Sequence, residues 1–310
     1  MQEFDDLNTF KRNFYEKYHK VLVPAIRGFE NERKNKLFWA IFWTIVLIGL
    51  GIAYFWFIIA FNIKGKRVEE PGIYLIGFGI GTYWIHKKAF ESKLKSKIMH
   101  VVSSCFGNMV WSQSYPFEKS ENFVSAGLFT EFTRQIIDDR FIGTYKGVPI
   151  DIIEAEYIRG SGKNSTTVFK GLCIKLDMNK NFKGHTVLME DTMFHKSPLS
   201  HLRHTELEDI KFEKRYDVFT DDEVEARYIL TPTFMEKLAG IKMAFRCKAV
   251  RCAFYQGQLL IAMKPTKDLF SLGSLVKPVT DTKQFQQLCN QFVSVLNLID
   301  YLKLDKQAVL

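Results

Sequence analysis

An α+β domain carried on an N-terminal two-helix transmembrane hairpin is the fold class this sequence predicts. Three observations predict it. An uncharged run of 25 residues, "LFWAIFWTIVLIGLGIAYFWFIIAF", occupies 37–61. Amphipathic helical stripes flank the apolar region on both sides. The remainder alternates like paired strands and ends in one long apolar stripe.

The first run is long enough for a helix across a bilayer core, which takes about 20 apolar residues. It starts too far into the chain, and lacks the small-residue cleavage site, for a secretion signal. After the polar loop 62–70 comes a second apolar stretch at 71–88, "PGIYLIGFGIGTYWI" and its basic end. Lysines that snorkel would let this shorter stretch span as well. Arg27, Arg33, Lys34 and Lys36 precede the first stretch, and Lys87, Lys88, Lys93, Lys95 and Lys97 follow the second. The loop between carries Lys64, Lys66 and Arg67 against Glu69 and Glu70. That asymmetry predicts both termini in the cytoplasm.

The expected organisation is therefore an amphipathic helix at 1–36, the membrane pair at 37–88, a juxtamembrane helix at 89–116 and a cytoplasmic domain at 117–310. Leu7, Phe10, Phe14, Tyr18 and Val21 recur at helical spacing before the spans, with Pro24 expected to break or kink that helix. Phe90, Leu94, Ile98, Val101 and Cys105 do the same after them. "GFGIG" at 77–81 is not a dinucleotide loop, because it lacks the third glycine and the strand–helix setting. Gly77 and Gly81 instead form a small-residue face expected to pack on Gly49 and Gly51.

Charge supports the membrane reading. The chain has a net charge of +9, yet residues 1–100 hold 16 Lys/Arg against 9 Asp/Glu. The remaining residues are almost balanced, which argues against nucleic acid and for membrane lipid as the basic segment's partner. The five cysteines show no C-x-x-C and are odd in number, as expected of free thiols in a reducing compartment.

Within the domain, "FEKSENFVSAGLF" at 117–129 reads as a helix capped by Ser120. "YKGVPIDIIEAEYI" and "TTVFKGLCIKLDM" read as paired strands around "RGSGKNS". "HTVLME" and "KFEKRYDVF" are further strands, and "AVRCAFYQGQLLIAMK" is a hairpin turning at Gln256–Gly257. A final helix begun by Asp281 carries Phe285, Leu288, Cys289, Phe292, Leu296, Ile299 and Leu302 on one face. "GSGKNST" lacks the first glycine and the Ser/Thr after lysine of a phosphate loop, so it reads as a hairpin tip.

Chemistry-bearing motifs are few. His195, His201 and His204 are candidates for a metal, but their spacing fits no standard zinc pattern. No cofactor is expected. Glu154 and Glu156 would share a strand face, and Asp138–Asp139 is a second acidic pair. In "VFTDDEVEARYILTP", 218–232, Thr220 is expected to cap a helix with Glu223 completing a capping box. Asp221, Asp222 and Glu223 suit the positive helix start, and Glu223 and Arg227 are an i,i+4 pair. Thr231 and Pro232 then begin a second helix that nears its end at Gly240.

The stretch "FEKRYDVFTDDEVEARYILTPTFMEKL" resembles the signature of the bacterial DUF3137 family. "SAGLF", "DDRFIGTYKGVPIDIIEAE", "FKGLCIKLDMNKNFKGHTVLMED" and "DLF" at 268–270 are similar to its pattern too, so the likeness covers about 110–300. The resemblance implies a membrane-anchored protein and supplies no catalytic residues. It also implies a LemA-type membrane protein as a partner.

The expectation is a non-enzymatic membrane protein that binds a protein partner or assembles as a homo-oligomer. Asp221, Asp222, Glu223 and Arg227 would lie on its interaction surface. The alternative is a membrane-bound hydrolase or transferase using Asp138, Asp139, Glu154, Glu156, Asp221 and Asp222. That alternative requires at least two of these acids to converge in one pocket.

Overall fold

The uncharged run at 37–61 lies in one unbroken helical rod. In this computed structural model the described residues are 7–65, 67–104, 106, 108–112, 121–178, 183–190, 199, 201–206, 215–266, 269–270, 274–279 and 282–302. Ser120, His195, Asp281 and Cys105 lie outside them. Helix α1 (Leu7–Lys17) passes through a π-helical turn (Tyr18–Leu22) into α2 (Val23–Ala60). The expected break at Pro24 is therefore absent. Pro24 sits in the first turn of α2, and the wider turn before it eases the ring's clash with the carbonyl four residues back. The extra residue in that turn also rotates the buried face. Leu22, not Val21, continues the stripe of Phe14 and Tyr18, and Val21 is exposed.

The chain divides into two units, each assembled from segments distant in sequence. One comprises 16–102 and 271–284. Its second long helix, α3 (Glu70–Ser104), runs antiparallel to α2. The expected juxtamembrane helix at 89–116 is thus the end of α3, and it stops at Ser104. The contacts step along the pair in opposite directions. The Tyr54 hydroxyl donates to the Val68 carbonyl at 3.0 Å, the Thr44 hydroxyl to that of Gly79 at 3.0 Å, and Lys93 to Glu32 at 2.8 Å.

Glycines set the closeness of this pair. A Cβ on Gly51 would lie 2.6 Å from Ile76 and 3.0 Å from the Gly72 carbonyl oxygen. One on Gly72 would lie 2.7 Å from the Phe55 ring, and one on Gly79 3.1 Å from Leu47. Of the four glycines picked out from the sequence, Gly51 is at this contact. Gly49, Gly77 and Gly81 face open space, because the approach runs along Gly72 and Gly79, two turns apart on another face of α3.

Among the described residues, one helix is long and apolar enough to cross a membrane, the rod at Asn8–Ala60; only 11% of its most apolar window is buried in the molecule. Below that window Arg33 is buried. It donates to both Glu30 carboxylate oxygens, at 2.7 and 3.0 Å, and to the Leu275 carbonyl. Glu30 also accepts from the Val279 amide at 3.1 Å, which ties 274–279 to α2. The Arg33 hydrogen bond holds the Glu30 carboxyl below its ordinary pKa.

The other unit comprises 1–15, 103–270 and 285–310 and is built on one sheet. Its strands are β1 (Val110–Ser112), β2 (Arg134–Tyr145), β3 (Val148–Arg159), β4 (Thr166–Asp177), β5 (Thr186–Glu190), β6 (Arg203–Thr205), β7 (Tyr216–Thr220), β8 (Cys247–Tyr255) and β9 (Gln258–Pro265). Their order is β1-β2-β3-β4-β9-β8-β5-β7-β6, antiparallel throughout. The β3–β4 and β8–β9 hairpins match expectation. Gln256 and Gly257 both take positive φ, as a tight two-residue turn requires.

The short helix α4 (Glu121–Ser125) and the turn after it cover one face of the sheet, where Phe123, Leu128 and Phe129 meet Tyr157 and Phe169. Helices α5 (Glu223–Ile229), α6 (Pro232–Ala244) and α7 (Thr282–Leu302) follow β7 and β9. On the other face, α6 sets Phe234 against Phe254, and α7 sets Phe292 against Phe141. Phe106 stacks on Phe292 at 4.1 Å and receives Phe14 and Phe10 of α1 at 5.1 and 5.8 Å. Cys173, Cys247, Cys252 and Cys289 are free and buried.

Gly51→Val should destabilise the α2–α3 pair by about 1–3 kcal/mol, as overpacking does elsewhere, whereas Gly49→Val should be nearly neutral. Unfolding of both variants in one detergent checks this; equal effects would remove the assigned contact.

Candidate functional site

Two places gather charged side chains, and the corner after β7 is the first. Thr220 ends that strand. Its hydroxyl accepts from the Asp222 amide at 3.1 Å, donates to the Asp222 carbonyl at 3.0 Å and lies 2.9 Å from the Thr186 hydroxyl. Thr220 is therefore not the helix cap the sequence led us to expect. Asp222 caps α5, its carboxylate accepting from the Glu225 amide at 3.0 Å. Thr220 is spent on the turn before the helix, which shifts the cap by two residues. Thr231 does cap α6, accepting from the Phe234 amide at 3.2 Å, and the helix runs past Gly240 to Ala244.

The inward acids brace a loop. Asp221 accepts from the His185 amide at 2.6 Å. Glu225 accepts from the amides of Lys183 and Gly184 at 3.0 and 2.6 Å. A Cβ at position 184 would collide with that carboxylate, which explains the glycine. Glu225 and Gly184 were not foreseen. The available signal was an acid beyond those needed to start α5. The outer face of α5 is different. Glu223 and Arg227 are exposed there, with Val224 at 81% and Tyr228 at 73% of full exposure, while Asp221 and Asp222 lie in the exposed turn before the helix.

The predicted histidines do not come together. His201 faces His185, with Nε2 and Nδ1 3.1 Å apart. His204 faces Asp217 at 3.5 Å and lies edge-on to Phe219. His195 is outside the described residues. Among the described residues, no group of three metal ligands includes a histidine.

The second place lies on the α6–α7 face of the sheet. Strand β2 has a bulge between Ile137 and Asp139, so Asp138 is the extra residue and Asp139 pairs with Glu154. One carboxylate oxygen from each of Asp138, Asp139 and Glu154 lies within 4.8 Å of the other two. Asp139 is fully buried and accepts from the Trp111 indole at 2.7 Å. Glu154 accepts from the Leu269 amide at 3.4 Å. Glu156 accepts from Lys170 and from Thr167, both at 3.0 Å, and the Lys170 bond lowers its pKa. Asp138, Glu154, Glu156, Lys170 and Lys264 line a cleft of about 520 Å³. Asp138, Asp139 and Glu154 are the residues here able to hold a cation. Asp221 and Asp222 belong to the corner and not to this cluster.

The profile of the DUF3137 family, described as a protein of unknown function, matches residues 167–304. This segment belongs to the DUF3137 family. The β7–α5 corner lies inside the match; "SAGLF" and the acids Asp138, Asp139, Glu154 and Glu156 precede it. No curated protein gives a significant match. Among solved structures, the mycobacterial trehalose monomycolate transport factor A, TtfA, is similar over 67% of this chain and 94% of its own, at 12% identity and a TM-score of 0.36.

Glu225→Ala should lower stability by about 2 kcal/mol through the two amides it leaves unsatisfied. Glu223→Ala on the outer face should change it by no more than about 0.5 kcal/mol. Urea unfolding of the two variants separates a bracing acid from a surface acid.

Proposed function

We propose that this chain is a membrane-anchored assembly protein whose DUF3137 region binds a protein partner at the outer face of α5. The observation that carries this reading is the placement of Val224 and Tyr228. They are one helical turn apart and largely exposed, on a helix whose Glu225 is occupied in holding the corner. A solvent-facing helix side is ordinarily polar. Apolar side chains flanked by Asp221, Asp222 and Glu223 suit a protein surface with apolar and basic groups. They do not suit an anionic bilayer or nucleic acid.

In this reading α2 and the shorter apolar part of α3 cross the inner membrane as a pair, with both chain ends in the cytoplasm. The basic flanks support that orientation. A cysteine at position 64 should then be labelled only from outside; labelling only from inside would reverse it.

The partners to test first are a LemA-type membrane protein and a second copy of the chain. Full-length protein in mild detergent should hold one of them in fixed stoichiometry. Val224→Ser combined with Tyr228→Ser should weaken that association at least about tenfold, as loss of apolar anchors does, with an unchanged melting temperature. A wild-type protein that is strictly monomeric and holds neither partner would end this reading.

One observation favours a second reading. Three carboxylates within 4.8 Å, beside a cleft that also holds two lysines, fit a divalent cation and metal-assisted hydrolysis or group transfer. Millimolar magnesium or calcium should then raise the melting temperature of the wild type and leave Asp138→Asn unmoved. Equal shifts in both would count against it.

A further inference from the structure

His185 and His201 are joined by a hydrogen bond that depends on how many protons the pair holds. His185 precedes β5 and is 6% exposed. Its Nε2 is 3.1 Å from the Ala126 carbonyl, which only accepts, so Nε2 carries the hydrogen. In the neutral ring Nδ1 is therefore a bare acceptor. The His201 Nε2, 3.1 Å away, must donate to it.

Proton counting follows from this arrangement. The bond uses Nε2 of His201, so a proton on the other nitrogen of that ring leaves it in place. A proton taken up by His185 can only enter at Nδ1, the acceptor of the shared bond. With both rings protonated, two N–H groups face each other and the contact is lost.

The groups facing His185 come from four places. They are the Ala126 carbonyl after α4, Asp221 in the β7–α5 turn, the Tyr255 ring at 4.6 Å from β8, and His201 itself. Burial is the largest influence and lowers the His185 pKa; His201 lowers it further, while the Ala126 bond and Asp221 oppose them. The folded chain thus takes this proton less readily than the unfolded one. The stability held by neutral His185 is complete above the ordinary imidazole pKa of about 6.5 and is lost as pH falls below it.

We propose that the His185–His201 pair is a proton-operated latch. Closed, it ties the 201–206 segment to the braced corner of Asp221 and Glu225. Doubly protonated, it lets that segment go. β6, at the centre of the segment, is a three-residue edge strand paired with β7 alone, so the side-chain tie matters to it. His204 of β6 lies 3.5 Å from Asp217 of β7, a second side-chain contact on the segment. The latch would gate the Val224–Tyr228 face, a use that rests on the partner-binding reading; the latch itself does not.

Hydrogen exchange on the full-length protein in detergent tests the latch without any partner. After correction for intrinsic rates, amides of 203–205 should lose protection at least about tenfold between about pH 7.5 and about pH 5, the range in which histidine switches act. The β8–β9 hairpin should not change. His201→Gln should remove the effect, because its amide can donate to neutral His185 or, flipped, accept from the protonated ring. Unchanged protection in the wild type would overturn the latch whether or not the variant folds. An equal loss in wild type and His201→Gln would overturn it as well.

Discussion

The apolar length of α2 is the constraint to which the first hundred residues answer. A helix with 25 successive uncharged residues, most of them unburied in the molecule, must find an apolar surrounding. The neighbouring features follow from that demand. Lysines and arginines stop where the apolar run starts, return briefly in the loop at 64–67, and resume within α3 at Lys87. Gly51, Gly72 and Gly79 let the backbones of α2 and α3 approach closely. Arg33, buried before the apolar window, is met by a carboxylate and a carbonyl at once. A buried cation without them would be strongly destabilising.

The globular unit answers a different demand. Its sheet pairs strands far apart in the chain, β4 with β9 and β5 with β8, so local preference alone cannot assemble it. What could be read from the sequence was whatever a short stretch determines by itself. The β3–β4 and β8–β9 hairpins announce themselves by alternation and a turn. The α7 stripe is a plain helical period. β2 escaped notice because its bulge at Asp138 interrupts the alternation that would have marked it. Val21 was taken for Leu22 because a π-helical turn inserts a residue that no periodicity foretells. Thr220 was taken for Asp222 because both can cap a helix, and the bonds Thr220 makes in the turn before the helix decide between them.

The sites were legible to the same degree. Glu154 and Glu156 on one strand face follow from the period of two. Their union with Asp138 and Asp139 does not, since it needs the β2–β3 register and the bulge together. His201 attracted attention beside His204, yet its partner is His185, which precedes β5 and is brought near only by the pairing of β5 and β6 on either side of β7.

The corner also shows why motif-rich stretches mislead. "TDDEVEA" contains four acids, and three of them are committed to the fold: Asp221 to the His185 amide, Asp222 to the start of α5, Glu225 to the loop at Lys183 and Gly184. Acids fixed in this way already spend carboxylate oxygens on backbone amides of their own fold. On the partner-binding reading proposed above, what remains for interaction is the part of α5 that looks least like chemistry, Val224 and Tyr228. Two apolar side chains on a helix already held by its cap and by Glu225 would lose little entropy on docking. The bracing acids and the exposed ridge are then one device: the first hold still what the second presents.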